Sequence, residues 1–486
     1  YDEEGHRLTV TDPNGHTAVT TYDELGNRTS LKLPMGETTT FDYDRNNNVI
    51  AMTNAKGKTT NFAYDQLDQL ASETNPLGFV TSYDYDALRR LVEITDANGN
   101  STQYGYDALD RLTSVTDALN GVTEYQYDPL GNLTTITDAN GHNTNFSVDL
   151  LGRVIGETNA LGKVWSYEYD PLGNLIKRID ANGIVTNYTF DKDNRLTKLA
   201  YPSGPATTFA YDPNNNLIGM VDASGQSAFT YDGLNRLTQA GHTTGLLADK
   251  KLDYSYDRDG NRTQIIYPDG KQVNYTYNAN DWLTSTKNPT GITTYTYDPV
   301  GLLTHQQNPN DTWTDWTYDD ADRLIELFNG KPPASTNLIS NFEYTLDPVG
   351  NRVRTVETET RGQAVTWTKD YTYDELYRLT QSVETPSAKP YQTLLSVFDY
   401  DAVGNRLSME TNVTDRPNTP ALPPAVTTHY KYDDANQLIS FKTTGPGIGG
   451  AQQTDFTYDD NGNRITMSGP TRAIDYSYDF ENRLVA

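Results

Sequence analysis

An aromatic residue followed by Asp, or a close variant of that pair, recurs at Tyr1, Tyr22, Tyr43, Tyr64, Tyr85, Tyr106, Tyr127, Val148, Tyr169, Phe190 and Tyr211, each 21 residues after the last. A fixed period of this length marks a chain built by stacking one small unit many times, and it constrains the fold before any residue is considered singly. The unit 127–141, YDPLGNLTTITDANG, carries two turn signals. The first is Asp128-Pro129-Leu130-Gly131, with Asp at i, Pro at i+1 and Gly at i+3, the preferences of a type I turn followed by a left-handed residue. The second is Asp138-Ala139-Asn140-Gly141. In both, the Asp carboxylate is expected to accept a backbone N–H two residues on, and the last position needs positive φ. Where the first-turn Gly is replaced, Asn47, Asp68, Asp110, Asn194, Asn215 or Asn235 takes its place, the side chains that next best tolerate that region. Arg89 stands outside this rule.

Between the turns lie 132–137 and 142–148, strand-length runs rich in Thr, Leu, Ile and Tyr. Each repeat therefore reads as one β-hairpin. In the second strand the pattern T-x-Y-x-Y-D, as in Thr123, Tyr125 and Tyr127, puts alternate aromatics on one face, where neighbouring repeats would pair them. Leu133 and Ile136 in the first strand are an odd number of residues apart, so they face opposite sides unless a bulge intervenes. A lone hairpin is at best marginally stable in water, so the repeats must share edges in one long continuous antiparallel sheet. The residues expected to carry the unit are, in four copies, Tyr22, Asp23 and Gly26; Tyr106 and Asp107; Tyr127, Asp128, Gly131, Asp138 and Gly141; and Tyr169, Asp170, Gly173, Asp180 and Gly183.

The pattern spans the whole chain. Residues 1–230 hold regular 21-residue repeats, 231–330 slightly irregular ones, and 331–486 longer ones. The added residues, at 331–340, 384–393, 415–426 and 443–454, arrive at the second turn and are rich in Pro or Gly, as insertions at hairpin tips are. No linker divides the chain, which reads as one β-repeat region, a fragment of a larger protein whose two ends expose strand edges that should pair with missing sequence or another copy.

Composition narrows the function. Only 35% of the 486 residues are hydrophobic, yet 35 Tyr, 13 Phe and 5 Trp supply more aromatic surface than disordered chains carry, so the chain is folded with its apolar material spread thin. A formal net charge of −27 opposes binding to nucleic acid or to an anionic membrane, and no apolar run reaches membrane-spanning length. The absence of cysteine excludes a disulfide framework and thiol catalysis. His6, His16, His142, His242, His305 and His429 are scattered without ligand spacing, so no metal site is expected from them. The Asp/Asn/Gly turns offer oxygens to calcium but lack the spacing of known calcium loops. Carboxylates recur at every turn and single out no catalytic pair, and no nucleophile or nucleotide motif appears in a suitable context. The reading is a non-enzyme without cofactors. Trp313, Trp316 and Tyr318 form the densest aromatic spot and are the candidate contacts for a sugar or other ligand, against plain packing in the sheet.

Y-D-x-x-G-N-x-L/R followed by T-D-x-x-G, in tandem at 20–21 residues over essentially the whole chain, resembles the RHS/YD-repeat proteins, which include bacterial polymorphic toxins, Tc toxin B and C components, wall-associated proteins and teneurins. The resemblance implies a sheet that spirals into a hollow shell and, in bacterial members, encloses a toxic C-terminal segment. Asp298-Pro299-Val300-Gly301-Leu302 matches the few letters of the family's self-cleavage motif, but it sits at an ordinary first turn behind Tyr297, and no core segment follows Tyr478. The function implied is an encapsulating shell of a secreted or cell-surface protein. Its partners would be an enclosed toxin or effector domain outside this chain, the rest of the parent shell, and further copies through strand edges. The alternative is a surface adhesion module binding glycans or proteins through the long loops after residue 330.

Overall fold

The structure, a computed structural model, describes residues 1–332, 338–361, 363–387, 392–414 and 425–485. Among these residues there are no helices, and 42 strands belong to one antiparallel sheet in which chain neighbours pair. Two compact units divide the chain, each made of two stretches: Tyr1–Asn100 with Ser227–Lys369, and Ser101–Gln226 with Asp370–Ala486.

The repeat at 127–148 shows how the sequence produces the hairpin. Strand Val122–Tyr127 pairs with Leu133–Thr137, placing Tyr125 opposite Ile136 and Gln126 opposite Thr135. The register then shifts, and Tyr127 faces Leu133. This bulge adds one residue to the first strand and so brings Leu133 and Ile136 to the same face as Tyr125 and Tyr127, despite their odd spacing. The Thr134 hydroxyl donates to the Gln126 carbonyl at 3.1 Å, bonding the extra residue back to the neighbouring strand. The same shift recurs at Tyr22, Tyr43, Tyr64, Tyr85, Tyr106 and Tyr169.

The burial pattern follows from the alternation. In Val122–Tyr127 the residues Thr123, Tyr125 and Tyr127 are half-buried while Val122, Glu124 and Gln126 are exposed. The sheet is thin. Among the described residues only Ile265 and Phe456 are buried hydrophobics, and no large side chain is fully enclosed. The expected pairing of aromatics is not what the register makes: Tyr125 lies opposite Ile136 and Tyr127 opposite Leu133, because a bulged strand separates the aromatics of successive repeats. These aromatic–aliphatic pairs and the hydrogen bonds along the sheet carry a cohesion that a globular domain would draw from its core.

Candidate functional site

The first turn is organised by its Asp. In the unit at 127 the Gly131 N–H donates to the Asp128 carbonyl at 3.0 Å, and the Asp128 N–H to the Asn132 carbonyl at 2.9 Å. Asp128 Oδ1 accepts the N–H groups of Leu130 at 2.8 Å and Asn132 at 2.9 Å, and Oδ2 accepts the Asn132 amide at 2.8 Å. Asp23 and Asp170 make the same set with Asn27 and Asn174, and Asp107 makes it with the Arg111 guanidinium in place of an amide. The Asn132 side chain, and next its N–H, hold the Asp128 carboxyl below the usual carboxylate range. Gly26, Gly131 and Gly173 have φ of 83°, 91° and 92°. Arg89 adopts φ 68° in the same place, closing its turn with an N–H to the Asp86 carbonyl at 2.9 Å, while Asp86 makes the usual bonds to Leu88 and Arg90. In the second turn Asp138 Oδ1 accepts the N–H groups of Asn140 and His142, both at 2.9 Å, and Gly141 has φ 86°. Asp180 likewise holds the Ile184 N–H at 2.9 Å, with Gly183 at φ 79°.

Two devices tie each repeat to the next. The tyrosine of the YD pair donates its hydroxyl to the carbonyl 15 residues back, just past the preceding unit's first turn: Tyr127 to Leu112 at 2.8 Å, Tyr169 to Val154 at 2.9 Å, and Tyr22 to Arg7 at 3.4 Å. Phenylalanine would fill the same place but leave that carbonyl without this donor. The residue leaving the first turn supplies the second device. An arginine there lies over the next repeat's tyrosine and donates to the next Asp carbonyl, as Arg111 does with Tyr127 at 4.8 Å and Asp128 at 3.0 Å. An asparagine there donates to an acceptor at the next left-handed position, Asn27 to Asn47 at 2.9 Å and Asn174 to Asn194 at 3.1 Å. The Asn residues that replace Gly at these positions thus tolerate positive φ and also receive the previous repeat.

The largest joints lie between the two stretches of each unit. In the first unit the second-turn tip Asn14 donates to Asp257 at 3.2 Å, Asn98 donates to Asp347 at 2.9 Å, and Lys56 bridges Asp298 at 3.1 Å and Asp322 at 2.7 Å. In the second unit Asn140 donates to Asp401 at 3.0 Å and Asn182 to Asp459 at 2.9 Å. The exchange is reciprocal, because Asn461 donates back to Asp180 at 2.7 Å and Asn436 to Asp138 at 3.3 Å. Each joint therefore bonds a second turn of the early stretch to a first turn some 240–300 residues later. At Asp401, burial pushes the carboxyl upward, and the amides of Asn405 and Asn140 outweigh it to hold the value low.

These tips are the functional residues that local reasoning on the sequence passed over. A signal was present. Asn14, Lys56, Asn98, Asn140 and Asn182 occupy every second repeat, and Met35, Leu77, Leu119 and Leu161 occupy the ones between. The polar tips bond across the seam through their side chains; of the apolar tips, which are 36–52% exposed, Met35 bonds across with its backbone N–H, to Asn280 at 3.1 Å.

Of the aromatic candidates, Trp316 and Tyr318 share one face of the sheet and Trp313 stands on the other. Strand Trp313–Tyr318 pairs with Leu324–Gly330 without a register shift between Trp313 and Trp316, so those two rings lie on opposite faces of the sheet. Trp313 packs over Gly330, where an added Cβ would sit 2.3 Å from the indole, and stacks on Phe328 at 6.4 Å. Tyr318 donates to the Leu303 carbonyl at 3.0 Å, as any YD tyrosine does. The stretch Asp298–Leu302 is an ordinary first turn: Gly301 has φ 89°, and Val300 and Leu302 N–H groups reach Asp298 Oδ1 at 3.0 and 2.9 Å. Of the four insertions, 443–454 is described, whereas 333–337, 388–391 and 415–424 lie outside the described residues.

Family models agree with this architecture. An RHS Repeat model matches residues 1–38, 22–60, 64–101, 90–122, 106–142 and 149–185, and a Teneurin YD-shell model matches 184–327. Toxin subunit YenC1 of Yersinia entomophaga is 24% identical over 184 residues, covering 35% of this chain and 17% of that protein. The crystal structure of TcdB2-TccC3 superposes with a TM-score of 0.71 at 15% identity, over 96% of this chain and 33% of that one. The Tc holotoxin pore of Photorhabdus luminescens does so at 0.71 and 14%, over 94% of this chain and 30% of that one. The chain thus spans about a third of the solved chains it matches and less of the curated relative.

Proposed function

The chain belongs to the RHS/YD-repeat family, and from that premise we propose that it is a length of encapsulating wall: a structural shell segment of a secreted, toxin-type protein that encloses and shields an effector domain lying outside these residues. The observation that carries this reading is the seam. Within each unit, tips along one edge of the ribbon are bonded to turns along the other edge, so that neighbouring passes of the sheet join into a continuous surface. Turn-to-turn stitching of this kind serves a barrier, which must have few gaps, more than it serves a binding cleft. The fold shared with TcdB2-TccC3 supports the same role. The acidic charge keeps such a wall soluble and gives it no affinity for nucleic acid. The remaining shell of the parent protein and the shielded domain are its partners. The adhesion reading gains no support from the aromatic spot, whose two tryptophans point to opposite faces.

Electron microscopy of the purified chain tests the proposal. A curved body around a lumen is the expected result, and protease resistance of the downstream domain in the longer parent protein should accompany it. A solid rod or a flat open ribbon would contradict the wall.

A further inference from the structure

Two of the six histidines, His16 and His142, occupy one repeat position: each leaves a second turn, four residues after the turn Asp. Each is also met by a carboxylate from the opposite stretch of its unit. At His16 the groups converge. Its Nδ1 lies 3.0 Å from Asp12 Oδ2, and Asp259, on the facing first turn, accepts the Asn14 N–H through Oδ1 at 3.1 Å. Asp259 Oδ2 is shut off from solvent and has no hydrogen-bond partner. One donor atom each from Asp12, His16 and Asp259 lies within 4.8 Å of the others, and all three residues are half-buried. A sealed carboxylate oxygen without a donor is costly, and a cation would satisfy it. One imidazole nitrogen and two carboxylate oxygens form a donor set suited to a divalent ion of the zinc class, harder than a thiolate site and softer than an all-oxygen calcium site.

We propose that Asp12, His16 and Asp259 hold one divalent transition-metal ion, with water in its open positions, and that the ion clips the second turn at 12–16 to the first turn at 257–260. The site does not depend on the wall reading above. Two other histidines define its specificity. His142 has Asp138 Oδ2 3.5 Å from Nδ1 and Asp434 Oδ1 3.6 Å from Nε2, so its acids address opposite nitrogens and cannot share an ion. His6 forms a trio with Asp2 and the exposed Glu4. Its Nε2, however, is pressed against Gly26, where an added Cβ would sit 2.8 Å away, and the trio's second carboxylate comes from the exposed Glu4 of its own turn and not from a facing stretch.

Calorimetric titration of the chelator-stripped chain with zinc tests the assignment. One zinc per chain is expected, with the affinity reduced at least about tenfold by His16→Asn or Asp259→Asn and unchanged by His142→Asn or His6→Asn. Both site variants should fold. Asn132 leaves its own turn by donating to Asp128 at 2.8 Å, and Asn280 and Asn461 stand at the facing-turn position elsewhere. A chain that binds no zinc, a chain whose binding survives both site substitutions, or one that loses binding in the His6 or His142 variant would overturn the proposal.

Discussion

The first turns of this molecule form two rows with the same backbone and different tips. In the early stretches the tip residue is mostly leucine and stands in solvent: Leu130 is 80% exposed and Leu172 75%. In the later stretches the same position holds Asp259, Asn280, Val300, Ala321, Leu376, Val403, Ala435 and Asn461, all half-buried, while Leu234, Val349 and Glu481 stay exposed. Gly131 of the bare row and Gly404 of the covered row have φ of 91° and 95°, and Asp128 and Asp401 make the same bonds to their own turns. The turn is therefore set by its Asp and its left-handed residue, and the tip is free to answer to what lies across from it. In the covered row the Asp also gains a duty, as Asp401 takes Asn140 in addition to Asn405.

Five substitutions would break or sharpen that contrast, each read as the change in local opening free energy by hydrogen exchange, because a long repeat chain need not unfold in two states. Asp401→Ala should cost most, roughly 2–3 kcal/mol, and should loosen the turn at 138–142 together with its own. Asp128→Ala, in the bare row, should loosen only its own repeat and the next. Lys56→Met should follow at roughly 2 kcal/mol, because it leaves Asp298 and Asp322 facing each other without the cation between them. Tyr127→Phe should cost about 1 kcal/mol, felt at Leu112 as well as at the substituted turn. Leu130→Gln should change stability by no more than about 0.5 kcal/mol, since its exposed side chain does nothing for the turn. Equal effects of the two Asp substitutions would remove the distinction between the rows.

The hairpin was legible because its determinants are local. An Asp and a left-handed residue three positions later are visible in any window of five, and the alternation of Tyr125 with Tyr127 shows in any window of six. Leu133 and Ile136 were ambiguous for a physical reason: a bulge changes which face a residue takes, and it is a property of two strands together. Arg89 is accommodated because its turn is over-determined by the bonds to Asp86, which offset the roughly 1–2 kcal/mol cost of positive φ. The seam was hidden because Asn140 and Asp401 are 261 residues apart and each already looks sufficient for its own turn. His16 and His142 read as scattered until the repeat period placed them in phase.

The most direct test uses the absence of native cysteine. Asn140→Cys with Asp401→Cys, treated with a short bismaleimide, should give an intramolecular cross-link closing a loop of about 261 residues, seen as faster migration on a denaturing gel. Asn140→Cys with Asp128→Cys, which pairs the same tip with a bare-row turn, should not cross-link. A missing cross-link in the first pair, or equal yields in both, would contradict the claim that the covered row is bonded to the second turns.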